Sequence, residues 1–91
     1  MKVGKTKMNR KYYVVASGWM GFDSNTIRNG HAPWGVWCAT YEDAIREVNR
    51  KMNEKNLSDI VYLYDVEADR IYNSNYSINF DYNNHRYEVA R

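Results

Sequence analysis

The sequence predicts one α+β domain: a single antiparallel sheet of about five or six strands carrying one amphipathic helix, in the order β-β-α-β-β-β-β. Three observations predict it. One stretch repeats its apolar residues at helical spacing, through Tyr41, Ala44, Ile45, Val48 and Met52. Short runs rich in Val, Ile, Tyr and Phe, bounded by Gly, Asn and Asp, flank that stretch on both sides. The chain is 91 residues long and 44% hydrophobic, with nine Tyr and three Trp, which suffices for one small core and excludes a second domain.

The chain opens on charge. Residues 1–11 hold Lys2, Lys5, Lys7, Arg10 and Lys11 and no acid, whereas the rest carries eight bases against eleven acids, a net −3. Residues 1–11 are therefore expected to form a basic N-terminal arm on a mildly acidic domain spanning 12–91, and such an arm suits phosphate. A solvated tail is its other common use. Tyr12-Tyr13-Val14-Val15-Ala16 follows as the first strand. Gly18, Gly21, Gly30 and Pro33 then punctuate a polar stretch read as one long loop, a length unusual in a compact domain and more often functional or mobile. Trp34 to Ala39 reads as the second strand, with Trp37 and Ala39 on the face opposite Val36 and Cys38.

Thr40 is the expected N-cap of the helix, with Glu42 and Asp43 in its first turn and Asn56 as its stop. Pairs at i, i+4, namely Glu42–Arg46, Glu47–Lys51 and Arg50–Glu54, make the opposite face a solvated one. Ile60–Val66 and Arg70–Tyr72 bracket Glu67-Ala68-Asp69 as a hairpin. Ser77–Tyr82 and Arg86–Val89 form a second one around Asn83-Asn84. One helix leaves much of a six-stranded sheet bare, and Tyr62, Tyr64, Tyr72, Phe80 and Tyr82 would supply apolar area there. A homodimer is the expected remedy.

Several function classes fall away. One cysteine cannot form an internal disulfide, which points to a reducing cytoplasm, and no apolar run approaches the length of a membrane span. His31, His85 and Cys38 match no zinc spacing, and no phosphate-binding glycine loop or nucleophile elbow is present. No catalytic residue, metal or cofactor is assigned, and the chain is read as non-enzymatic. What remains is cations beside aromatic rings, Arg10-Lys11-Tyr12-Tyr13 and His85-Arg86-Tyr87, an arrangement used on RNA. Lys5, Lys7, Arg10, Lys11, Tyr13, Tyr41 and Arg86 are the nucleic-acid-binding candidates. Trp19, Arg28, Trp34 and Trp37 form the alternative, an interface of hot-spot residue types for a protein partner.

Tyr12-Tyr13-Val14-Val15-Ala16-Ser17-Gly18, then Gly35-Val36-Trp37 and Tyr41-Glu42-Asp43-Ala44, resemble the viroplasmin-type domain, the RNA-binding module at the N-terminus of eukaryotic ribonuclease H1. The resemblance covers about 35 residues and implies a β-β-α start, with Tyr13 and Tyr41 near nucleic acid. The chain departs from it where the family's basic pair is Ala16-Ser17, and where residues 59–65 hold no Lys or Arg. Eleven Asn beside nine Tyr, six Lys and five Ile also give a composition similar to small accessory proteins of T4-like phages. Together these imply an RNA-binding accessory protein acting on host RNA processing or on an RNA-cleaving defence factor. The alternative is an inhibitor of a host or defence protein that uses the Trp-rich loop.

Overall fold

The computed structural model describes residues 10–90. It is an α+β fold with strands β1 (Tyr12–Ser17), β2 (Val36–Cys38), β3 (Ile60–Asp65), β4 (Arg70–Asn73), β5 (Ile78–Asp81) and β6 (Arg86–Val89). A short helix α1 (Ser24–Arg28) precedes β2, and the long helix α2 (Tyr41–Glu54) follows it. The strands form two sheets rather than one: an antiparallel sheet in the order β2-β1-β3-β4, and a separate β5-β6 hairpin.

The division begins after β4. Ser77 Oγ accepts from the Asn73 N–H at 2.9 Å, the Asn73 carbonyl accepts from the Ser77 N–H at 2.8 Å, and Asn73 Oδ1 accepts from the amides of Asn75 and Tyr76. This knot of short polar side chains turns the chain out of the sheet. β5 then pairs only with β6, matching Ile78 with Val89 and Phe80 with Tyr87. The hairpin is held to α2 by Asn49, whose Oδ1 accepts from the Tyr87 N–H at 2.7 Å while its Nδ2 donates to the Tyr87 carbonyl at 3.1 Å. The helix side chain thus occupies the place of a neighbouring strand.

Helix α2 begins where the sequence predicts, with Thr40 Oγ1 accepting from the Asp43 N–H at 3.1 Å. Its apolar stripe buries Ala44, Ile45 and Val48 against Val14, Cys38, Val61, Leu63 and Tyr72 of the sheet and Ile78 and Val89 of the hairpin. Of the expected i, i+4 pairs, Glu47–Lys51 and Arg50–Glu54 form, whereas Arg46 pairs with Asp43 instead of Glu42.

The opposite face of the sheet is also covered. Tyr13, Val15, Ile60, Tyr62 and Tyr64 pack beneath Phe22, Ile27 and Ala32, all supplied by the segment between β1 and β2. That segment is not a structureless loop. Asp23 caps α1 by accepting from the Thr26 N–H at 2.9 Å, and Gly30 at φ +72° ends it, its N–H bonded to the Ile27 carbonyl. Both faces of β3 are therefore buried along its whole length. The bare face on which a homodimer was expected does not exist at Tyr62, Tyr64 and Tyr72, which are 1–5% exposed. Phe80 and Tyr82 remain at the hairpin, edge to face with each other at 4.9 Å between centroids.

Candidate functional site

The predicted candidates do not converge on one surface. Lys5 and Lys7 lie outside the described residues. Arg10 and Lys11 are exposed where the chain enters β1. Tyr13, expected to meet a base, is 3% exposed and buried beneath the segment that precedes β2. Its hydroxyl accepts the Gly35 N–H at 2.9 Å, and burial pushes its pKa up. Its ring presses so closely on Gly35 that a Cβ there would sit 2.2 Å from Tyr13 Cζ.

Tyr41 and Arg86 stand on the other side of the sheet, beside α2 and the hairpin, where both are engaged. Tyr41 packs edge to face on Tyr12 at 6.0 Å and donates to Glu88 Oε1 at 3.2 Å. The Arg86 guanidinium is bidentate on Glu42, at 3.1 and 3.0 Å, and also bonds Glu88. The Arg86 side chain holds the Glu42 carboxyl below the usual range, and its own pKa is raised by the two carboxylates. Arg86 thus fastens the hairpin to the start of α2.

The four residues of the alternative also separate. Arg28 is fixed at the end of α1, donating to Tyr64 Oη at 2.8 Å, Asp69 Oδ1 at 3.1 Å and Asn25 Oδ1 at 3.0 Å. Trp37 is half-buried against Tyr13, with centroids 4.8 Å apart, and Arg10 lies over its ring at 5.5 Å. Trp19 and Trp34 lie elsewhere, just past the end of β1, and remain about half exposed. The Trp34 indole N–H donates to the Ala16 carbonyl at 3.0 Å, which fixes the ring on the sheet edge beyond the last β1–β2 pair.

Two surfaces result. The first is a groove of about 510 Å3 whose walls include Arg10, Arg28, Pro33 and Trp37, with Tyr13 at its floor. Its volume lies within the range of ligand sites, about 300–1,000 Å3. Arg28 is neutralised by Asp69, but Arg10 has no acidic partner among the described residues. Of the basic segment of the sequence, Arg10 lines this groove. The second surface is the end of the sheet where Trp34, Met20 and Leu57 are exposed around two hollows of about 220 and 460 Å3. Sequence reasoning missed Met20 and Leu57. Leu57 was visible as a lone apolar residue after the helix stop at Asn56, in a stretch otherwise polar.

Asp69 links the groove to stability. The Tyr64 hydroxyl, donating at 2.7 Å, and then Arg28 hold its carboxyl below the ordinary value. A carboxyl depressed in the folded state stabilises above the unfolded pKa, about 3.9, and loses that contribution as pH falls through the folded value. Asp69→Asn is therefore expected to flatten the acid limb of stability below about pH 4. Asn tolerates the φ of +51° at this position, so the backbone turn is kept. Urea denaturation of both proteins from pH 7 downwards checks this, and an unchanged acid limb sinks it.

Among the described residues no His, Cys, Asp and Glu cluster has the composition of a metal site, and no helix is long and apolar enough to cross a membrane. No family model matches the chain, nor does any curated protein or solved structure.

Proposed function

We propose that the chain is a non-enzymatic nucleic-acid-binding accessory protein that holds RNA by its phosphates. The observation that carries this reading is the position of Arg10. It is exposed, has no acidic partner among the described residues, and stands over Trp37 in a groove that it lines, and in sequence it belongs to the basic segment. Binding here is by charge rather than by stacking, since Tyr13 is buried and Trp37 is already covered by Tyr13 and Arg10. Contacts to phosphate carry no base information, so mixed RNA should bind without regard to sequence. Such a protein would act by sequestering RNA from host processing or from an RNA-cleaving defence factor.

The test is fluorescence anisotropy with a labelled single-stranded RNA across a salt series. Replacing Lys5, Lys7, Arg10 and Lys11 with Ala should weaken binding and reduce the slope of log affinity against log salt by about 0.7 per lost contact. Tyr41→Phe and Arg86→Gln should leave the slope unchanged, because those side chains face α2 and the hairpin. A quadruple variant that binds as well as the parent in low salt overturns the reading.

A second reading, an inhibitor of a host or defence protein anchored by Trp19 and Trp34, is favoured by the exposure of those two rings. Arg28 and Trp37 do not belong to that surface. Its association would depend little on salt, since apolar anchors release no counterions.

A further inference from the structure

The end of the sheet that carries Trp34 is independent of the nucleic-acid reading, as its hollows share no lining residue with the groove at Arg10. Three large apolar side chains are exposed around its hollows: Met20 at 68%, Trp34 at 53% and Leu57 at 99%. Exposed apolar groups gathered in this way mark an interaction surface. The Trp34 ring is held by its bond to the Ala16 carbonyl, so little freedom is lost when a partner seats on it.

Charge identifies the partner. Along α2, Glu42, Asp43, Arg46, Glu47, Arg50, Lys51 and Glu54 all have oppositely charged partners within the chain. The next two charged residues, Lys55 and Asp59, do not pair with any charge among the described residues. They line both hollows and flank Leu57 in sequence. A surface with one unmatched cation and one unmatched anion about an apolar centre is complementary to itself. Across a two-fold axis residue i meets j while j meets i. Lys55 of each copy would face Asp59 of the other, with the exposed apolar side chains closing between them.

We infer that this end is the interface of a homodimer, with Lys55 and Asp59 forming two symmetric ion pairs around Leu57, Met20 and Trp34. It replaces the sheet face on which association was expected from the sequence, where Tyr62 and Tyr64 are covered by the segment that carries α1 and Tyr72 by α2.

The experiment is light scattering and sedimentation of the full chain over a concentration series to high micromolar. The parent should reach the mass of a dimer. Lys55→Glu and Asp59→Lys should each raise the dissociation constant about tenfold or more, because each sets like charges against one another twice. The double variant, with the charges exchanged, should recover most of that loss. Leu57→Ser should weaken the dimer without altering the helical circular-dichroism signal, which serves as the folding control. A parent that stays monomeric throughout, or a double variant no better than the single ones, overturns the inference.

Discussion

Replacing Gly35 with alanine is expected to lower stability by about 2–3 kcal/mol, the scale of overpacking joined to a broken hydrogen bond. The cause is contact rather than backbone freedom. The new Cβ would lie 2.2 Å from Tyr13 Cζ and 2.4 Å from its hydroxyl oxygen, so either the ring or the strand must move. Tyr13 cannot yield easily, since it is packed between Trp37 and the layer formed by Ile27 and Ala32. A shift of the chain at residue 35 would also lose the Gly35 N–H bond to the Tyr13 hydroxyl. In a domain of this size each kcal/mol moves the midpoint by about 4–8 °C, so a thermal melt should register a fall of roughly 10–20 °C. Combining Gly35→Ala with Tyr13→Leu should cost less than the sum of the two changes, because the smaller side chain removes the collision. Additive losses would show that the contact is not the cause.

The second large effect is expected at Asn49. Asn49→Ala removes the bonds to both backbone groups of Tyr87, as well as the internal one to the Ile45 carbonyl. Leaving the Tyr87 N–H and carbonyl without partners in a half-buried position should cost about 2–3 kcal/mol. The loss should be local before it is global. Hydrogen exchange should quicken first at Tyr87 and across β5–β6, while the amides of β1 and β3 keep their protection. Asn49→Asp retains the acceptor for the Tyr87 N–H and should recover part of the loss. Uniform loss of protection through both sheets would show that the hairpin does not depend on this side chain.

How much of this was legible depends on how each element announces itself. Helix α2 was readable in full because five apolar residues keep one period and Thr40 supplies a cap. The β3–β4 and β5–β6 hairpins were readable from their turns. The segment between β1 and β2 was not, because Phe22, Ile27 and Ala32 are isolated among polar residues and only the finished sheet gathers them. Helix α1, at five residues, is too short to display a period. One signal for that cover does stand in the sequence: Ile60 to Tyr64 is apolar at every position, the mark of a strand covered on both faces. The candidate site suffered from the same cause. Tyr13 and Arg86 are residue types that the sequence offers for nucleic-acid contact, but their partners, Gly35 and Glu42, are distant in sequence and engage them within the fold.

The first strand of the chain is the second strand of the sheet, and this gives the residues before it a mechanical meaning. Lys11 already belongs to the sheet, its N–H bonded to the Cys38 carbonyl at 3.1 Å and its carbonyl accepting from the Val66 N–H at 3.0 Å. From there β1 is stitched to β2 through three residue pairs on one side and to β3 through six on the other. A load applied at Arg10 therefore runs along the strand and is resisted by two rows of hydrogen bonds in shear, not peeled from an edge one bond at a time. A pull on Arg10 thus reaches the interior of the four-stranded sheet, not its rim.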